Sequence, residues 1–118
     1  MYLKMLKSKL HRATVTDAKL HYLGSIEIDS ELMQAADILP FESVLVADLS
    51  SGSRLETYAV PARAGSGRIA ILGAAAHLIK PKDIIIIFSF AYCTPDDAKK
   101  LKPKVILLDE NNKIKADA

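Results

Sequence analysis

The sequence predicts a mainly β domain, folded as a small closed barrel of six strands with short helices between them. The central observation is the segment 84–92, whose β-branched and aromatic residues lack helical spacing and are typical of a strand buried on both faces. Because a closed sheet has no unpaired edges, a set of many short strands favours a barrel. Five further segments have strand character: 3–15, 44–49, 55–60, 68–72 and 105–108.

Two short helices are predicted between the strands. Asp29 can accept hydrogen bonds from the first amides of a helix over 31–36. Thr94 can do the same for a second helix, in which Pro95 occupies the first turn and the acidic pair 96–97 lies near the positive end of the helix dipole. We interpret both helices as packing elements.

The other features of the chain are turns and a polar C-terminal segment. Turn-forming residues are concentrated at 50–53 and 109–112. The polar segment 111–118 is predicted to be a flexible tail. The length is sufficient for one hydrophobic core, so we expect a single domain over 1–118.

Composition and charge exclude several classes of protein. With 16 Lys and Arg against 14 Asp and Glu, the net charge of +2 does not favour a dedicated nucleic-acid binder. The longest apolar stretch, 84–93, is much shorter than the roughly 20 residues of a membrane-spanning helix. Charges interrupt the segment 1–7, so no targeting signal is expected there. The single cysteine, Cys93, rules out an intramolecular disulfide and favours a cytoplasmic location.

The dipeptide Gly-Ser occurs at 24–25, 52–53 and 65–66. The last two are interpreted as turns. The first lies between a strand-like segment, 19–23, and a helix cap, where a strained bend is expected. Such a bend would let the hydroxyl of Ser25 attack the carbonyl of Gly24 and convert the peptide to an ester. Elimination across the Ser25 Cα–Cβ bond would then leave dehydroalanine, which hydrolyses to a pyruvoyl group.

A series of motifs along the chain resembles the aspartate 1-decarboxylase family. The motifs are Lys9-Leu10-His11-Arg12, Tyr22-Leu23-Gly24-Ser25, Gly52-Ser53-Arg54, Thr57-Tyr58 and Gly73-Ala74-Ala75-Ala76-His77. They follow the family's order and spacing over roughly residues 1–92. The resemblance implies a double-psi β-barrel assembled as a homotetramer. It also implies self-cleavage into 1–24 (β chain) and 25–118 (α chain), and conversion of L-aspartate to β-alanine for pantothenate synthesis.

The resemblance also implies how the substrate is bound and converted. Ser25 becomes the pyruvoyl group, which forms a Schiff base with the substrate amine, so neither a metal nor a diffusible cofactor is expected. Lys9 and Arg54 bind the two substrate carboxylates, although the sequence does not say which cation binds which group. Tyr58 protonates the carbanion that decarboxylation leaves.

The resemblance assigns Thr57 to self-cleavage, through a hydrogen bond to the carbonyl of Gly24. Thr57 and Tyr58 are adjacent on a predicted strand, so their side chains should point to opposite faces unless the strand bulges or bends. Without the resemblance, both are ordinary strand residues.

The run Gly73, Ala74 and Ala75 allows two interpretations. Small side chains let backbone amides approach a substrate carboxylate, but they are also compatible with a helix start or close packing. The residue before the run is Leu72, where the family usually has Asn, and an isobutyl group can neither donate nor accept a hydrogen bond.

Three histidines raise the alternative of a metal site, but no two of them have a spacing that fixes ligands on one face. His11 has the same strand parity as Lys9, so both can face one side and line the site. Tyr22 matches a site-lining position of the family. A catalytically inert barrel that serves as an interaction or regulatory module stays open as an alternative function, favoured only by Leu72. Neither nucleic acid nor membrane is an expected partner, and the need for an accessory maturation protein stays open.

Overall fold

The computed structural model of the chain describes residues 1–115, and it is mainly β, which confirms the predicted class. Within these residues the elements follow one another as β1 (Leu3–Thr14), β2 (Asp17–Lys19), β3 (Ser25–Asp29), α1 (Ser30–Ala35), β4 (Ser43–Asp48), β5 (Arg54–Ala62), β6 (Ile69–Leu72), a 3-10 helix (Gly73–His77), β7 (Ile84–Cys93), α2 (Pro95–Lys100) and β8 (Lys104–Leu107).

The strands of the described residues form one mixed sheet in the order β2-β6-β3-β5-β4-β7-β1-β8. Three neighbouring pairs are parallel, namely β2 with β6, β3 with β5, and β1 with β8. The hydrogen-bonded order ends at β2 on one side and at β8 on the other, so closure into a six-stranded double-psi barrel stays a prediction.

The longest strands, β1 and β7, pair with each other antiparallel over most of their length. The side chains of β7 alternate between buried and half-buried positions, so one of its faces belongs to the core. The prediction that both faces are buried holds for that face only, because the side chains on the other face are half-buried or exposed. The core side chains include Leu10, Val15, Ile26, Ile28, Val44, Val46, Ile69, Ile71, Ile79, Ile85 and Ile87.

Strand β3 was not predicted from the sequence. It contains Ile26 and Ile28 as its apolar residues, both fully buried, and is only 5 residues long. The strand conformation depends on two long-range neighbours, since β3 pairs parallel to β5 and antiparallel to β6. Local sequence carries no signal of these partners.

Both predicted helix caps are confirmed. The side chain of Asp29 accepts a hydrogen bond from Glu31 N at 2.9 Å, and that of Thr94 accepts from Asp97 N at 3.3 Å. Asp29 also accepts from Gly67 N at 2.9 Å, which ties the loop before β6 to the start of α1. Within residues 1–115 no helix is long and apolar enough to cross a membrane.

The start of the predicted flexible tail is bonded to the rest of the fold. Asn112 is 2% exposed, and its amide exchanges hydrogen bonds with Thr14 N and O at 2.7 and 2.8 Å and donates to Gly67 O at 2.8 Å. These contacts argue against a loose chain at Asn112. Residues 116–118 of the predicted tail lie outside the described residues.

Candidate active site

The Gly24–Ser25 linkage lies where an irregular segment enters the sheet. Residues 20–24 are bends and irregular backbone, and Gly24 is exposed. Ser25 begins β3, is only 5% exposed, and pairs with Leu72 of β6. The two residues of the linkage therefore differ sharply in exposure.

Gly73 contacts this linkage directly. Its φ is +83°, and a β-carbon at this position would lie 2.7 Å from Gly24 Cα and 3.0 Å from both Gly24 N and the Tyr22 carbonyl oxygen. All three neighbours are backbone atoms, which cannot move without displacing the linkage. Gly73 thus packs closely against the backbone of 22–24 and begins the 3-10 helix, which are the structural alternatives given for the small-residue run. The approach of its amides to a substrate carboxylate stays a prediction.

A cavity of about 340 Å³ lies beside the linkage, near the lower end of the usual range for small-molecule sites. Four of the predicted site residues, Gly24, Thr57, Ala74 and Ala75, line it together. The remaining lining residues are Leu55, Glu56, Leu72 and Leu78.

Thr57 and Tyr58 occupy opposite faces of β5. The register with β4 runs without interruption through Val44↔Thr57 and Ser43↔Tyr58, so no bulge reverses the alternation. Thr57 lines the cavity, whereas Tyr58 is 36% exposed and its ring lies 6.2 Å from that of Phe41 between centroids. The structure therefore does not bring Tyr58 to the cavity within one chain.

Lys9, His11 and Arg54 share the face of Tyr58. In the paired register, Lys9 lies in one row with Phe88, Leu45 and Glu56, and His11 lies in the next with Ile86, Ala47 and Arg54. Arg54 and Tyr58 have the same parity on β5, opposite to Thr57. We call this side of β5-β4-β7-β1 the outer face, defined by Lys9, His11, Arg54 and Tyr58.

Comparison with known proteins identifies the family. A sequence model described as "Aspartate decarboxylase" matches residues 1–115. The chain belongs to the aspartate decarboxylase family.

Curated relatives named "Aspartate 1-decarboxylase" agree with this. The relative from Moorella thermoacetica is 58% identical over 116 residues, which are 98% of this chain and 91% of the relative. The relative from Thermoanaerobacter pseudethanolicus is 57% identical over 109 residues, 92% of this chain and 93% of the relative. The relative from Pelotomaculum thermopropionicum is 52% identical over 114 residues, 97% of this chain and 86% of the relative.

In this member of the aspartate decarboxylase family, Leu72 lies at the centre of the candidate site. It is 8% exposed, lines the cavity and is the antiparallel partner of Ser25. Its side chain contributes packing alone. Any hydrogen bond from position 72 to the cavity or to Ser25 must therefore come from the backbone.

His11 is a neutral, partly buried imidazole on the outer face of this decarboxylase-family chain. Burial lowers the pKa of His11, and the positive charges of Lys9 and Arg12 lower it further. Its Nδ1 is buried and has no hydrogen-bond partner among residues 1–115. These effects favour the uncharged ring, whose Nδ1 has no donor among the described residues.

The ring of Tyr22 lies outside the cavity. It is 57% exposed, and Lys19 Nζ lies 5.1 Å from its centroid. The carbonyl oxygen of Tyr22, rather than its ring, lies close to Gly73.

Sequence reasoning missed part of the cavity wall. Leu55 has the strand parity of Thr57, a signal that would have placed it on the same side. Leu78 follows the 3-10 helix and had no such signal. The described part of the chain contains no cluster of three or more His, Cys, Asp or Glu side chains that could bind a metal ion.

Proposed function

We propose that this chain cleaves itself between Gly24 and Ser25, and that the product decarboxylates L-aspartate to β-alanine and carbon dioxide for pantothenate synthesis in the cytoplasm. The observation that best supports the proposal is the close approach of Gly73 to Gly24, at the wall of a cavity that Thr57 also lines. Membership of the aspartate decarboxylase family supports the substrate.

The chain's own residues carry out the self-cleavage. The Ser25 hydroxyl oxygen attacks the Gly24 carbonyl carbon, and the bond from that carbon to the Ser25 nitrogen breaks as the nitrogen takes up a proton, which leaves an ester. The Thr57 hydroxyl stabilises the negative charge that develops on the Gly24 oxygen. Elimination then releases Gly24 as a carboxylate. Hydrolysis of the resulting dehydroalanine releases ammonia and leaves the pyruvoyl group on 25–118.

The surroundings of Ser25 are compatible with a pyruvoyl group at this position. Ser25 is 5% exposed, and the absence of a side chain at Gly73 leaves the space that the Gly24 backbone occupies. The pyruvoyl carbonyl supplies a sink for the electrons released when carbon dioxide leaves. No metal or diffusible cofactor is part of the proposal.

Three residues of the outer face act on the substrate in this proposal. Aspartate carries two carboxylates, so it requires cations, and Lys9 offers a point charge while Arg54 offers a planar fork. The Tyr58 phenol is a weak acid suited to protonating a strongly basic carbon.

Further residues complete the proposed site. The backbone amides of Gly73, Ala74 and Ala75 bind a substrate carboxylate, because their small side chains leave the backbone accessible. His11 and Tyr22 line the site. Of these five, the two alanines line the cavity in the single chain.

We further propose that each site is completed by a second copy within a homotetramer. The alternation along β5 separates Arg54 and Tyr58 from Thr57. A partner whose outer face meets the cavity would supply the missing cations and proton donor. The half-buried Phe88 and Phe90 on that face, and the 74% exposed Phe41, are apolar surface that a partner would cover.

Intact mass and product formation test the proposal together. Purified protein should resolve into 1–24 and a pyruvoyl-led 25–118, and should form β-alanine from L-aspartate. Ser25→Ala should stay one uncut chain without activity, because it has no hydroxyl to attack Gly24. Ser66→Ala is the matched control, since Ser66 also follows a glycine but lies on an exposed turn; it should be cut and active.

A cut and active Ser25→Ala protein would overturn the proposal. An uncut, inactive wild-type chain would favour the inert interaction module instead. If the wild-type chain is cut only after another protein is added, an accessory maturation partner is required.

A further inference from the structure

Asp48 is a buried carboxyl group at the end of β4. It is 2% exposed, and its Oδ1 accepts a hydrogen bond from Ser50 N at 2.7 Å. Its Oδ2 is buried and has no donor among residues 1–115. Asp48 is the register partner of Ile85, two residues after Asp83, and the carboxyl groups of Asp48 and Asp83 are close enough to interact. A buried acceptor without a donor is unfavourable, and two facing carboxylates repel each other.

Asp83 is fixed by its own contacts. Its Oδ2 accepts from Lys80 N at 3.1 Å, and its carbonyl oxygen accepts from Val15 N at 2.9 Å, just beyond β1. Lys82 N donates in turn to Val15 O at 2.8 Å. Asp83 therefore stands on a rigid part of the fold, and Asp48 faces it from the next strand.

We propose that Asp48 and Asp83 share a single proton, and that this proton holds the turn over 48–53 in the shape that positions Arg54 for substrate. Two carboxylates are acceptors only, so the proton supplies the donor that Asp48 Oδ2 lacks. The second half of the inference rests on the proposed function, in which Arg54 binds a substrate carboxylate. Asp48 is in this view a positioning residue.

The hydrogen bonds of the turn connect Asp48 to Arg54. Asp48 N donates to Ser53 O, and Gly52 N donates to Asp48 O, both at 2.9 Å. Ser53 directly precedes Arg54, which begins β5 opposite Ala47. A displacement of the Asp48 carboxyl group therefore moves the turn from which Arg54 emerges.

The charged surroundings favour one proton on the pair. Burial raises the pKa of Asp48 and Asp83 raises it further, while backbone hydrogen bonds from Ser50 and Ser51 lower it. The hydrogen bond with Asp48 lowers the pKa of Asp83, which the positive charge of Lys80 also favours. The other neighbours on β7 are the apolar Ile84 and Ile85.

The direction of the pH effect follows from these shifts. Because the pKa of Asp48 is raised in the folded state, its stabilising contribution is complete below the pKa of the unfolded chain. It is lost as the pH rises through the folded-state pKa. Because the pKa of Asp83 is lowered, its contribution is lost as the pH falls through that value. The pair should be most stable between the two pKa values, and a pH above the folded-state pKa of Asp48 should release the turn.

The thermal unfolding midpoint, measured from about pH 4 to about pH 9, tests the shared proton. The wild-type midpoint should decline as the pH rises through the folded-state pKa of Asp48. Asp48→Asn should remove that part of the decline, because an amide donates to the Asp83 carboxylate at every pH. The control is Asp96→Asn in α2, which removes an exposed carboxylate and should keep the wild-type profile. Identical profiles for wild type and Asp48→Asn would overturn the proposal.

Two measurements test the positioning of Arg54. The KM for L-aspartate should rise roughly tenfold as the pH rises through the folded-state pKa of Asp48 in wild type but not in Asp48→Asn, with a smaller change in kcat. Above that pKa, amide exchange at Ser50 and Gly52 should be faster in the Ser25→Ala chain than in the Ser25→Ala, Asp48→Asn chain. Equal KM profiles, or equal exchange, would overturn the positioning role. Because unfolding and exchange need no activity, a protein that forms no β-alanine would refute the proposed function and still decide this inference.

Discussion

The cavity side and the outer face of the sheet differ in how completely one chain builds them. On the cavity side, β3, β5 and β6 bring Gly24, Thr57 and Gly73 together within a single chain. On the outer face, Lys9, Arg54 and Tyr58 share one side of four strands but do not line the cavity. Under the proposed function, self-cleavage would be an event of one chain, whereas turnover of aspartate would need residues that the same chain does not bring to its own cavity.

The substitution with the largest expected effect distinguishes the outer face from the cavity side. Tyr58→Phe should leave self-cleavage intact and slow β-alanine formation by roughly 100- to 10,000-fold, the usual range for loss of a general acid. Fragment masses and turnover, measured on the same preparation, check this. Normal turnover would assign the proton donor to another group.

The same variant examines whether two copies build a site. Tyr58→Phe retains Ser25 but lacks the donor, and Ser25→Ala retains the donor but cannot form the pyruvoyl group. Co-expressed, the two inactive variants should recover activity if the residues come from different chains. No recovery in mixed oligomers would place both functions within one chain.

Thr57→Val should affect the opposite region. Without the Thr57 hydroxyl group, the Gly24 carbonyl oxygen loses a hydrogen-bond donor. Self-cleavage should therefore slow by roughly 100- to 1,000-fold. The rate at which the uncut chain disappears is the measurement. Thr57→Ser is the matched control, since it keeps the hydroxyl and should cut at a rate close to that of wild type. Equal rates for Val and Ser would remove Thr57 from the cleavage step.

Gly73→Ala should have the smallest effect on free energy. It tests how the cavity side is assembled. The added carbon meets Gly24 Cα at 2.7 Å, so it should destabilise the uncut chain by about 1–3 kcal/mol and displace the linkage. Gly65→Ala is the control, because Gly65 also has a positive φ, of +77°, but its nearest neighbour lies at 3.7 Å. Urea unfolding of both variants in the Ser25→Ala background measures the difference. A similar loss for both would attribute it to φ alone.

Much of the fold was accessible from local sequence patterns. The run that became β7 and the caps at Asp29 and Thr94 depend on residues close together in the chain, so propensity and capping chemistry sufficed. Strand β3 was not predicted because its conformation depends on β5 and β6. The hydrogen bonds of Asn112 were not predicted for the same reason, since its partners Thr14 and Gly67 are distant in sequence.

The candidate site was predictable as a set of residues but not as an arrangement. The motifs indicated Lys9, Arg54, Thr57 and Tyr58, and strand parity predicted that the last two would diverge, as they do. Whether a residue lies on the same side of the sheet as the Gly24–Ser25 linkage depends on the strand order, which local sequence patterns do not give. The facing carboxyls of Asp48 and Asp83 likewise arise from long-range pairing that a single sequence does not display.

The position of the linkage in the sheet has a consequence for the matured protein. A break after Gly24 leaves β1 and β2 on a short polypeptide whose neighbours β6, β7 and β8 all belong to the longer one. The two pieces would have no covalent link and would be held together by backbone pairing and by the shared core, so they could separate only by opening the sheet at several places. Once separated, they would have to meet again by diffusion, and recovery after denaturation would depend on protein concentration.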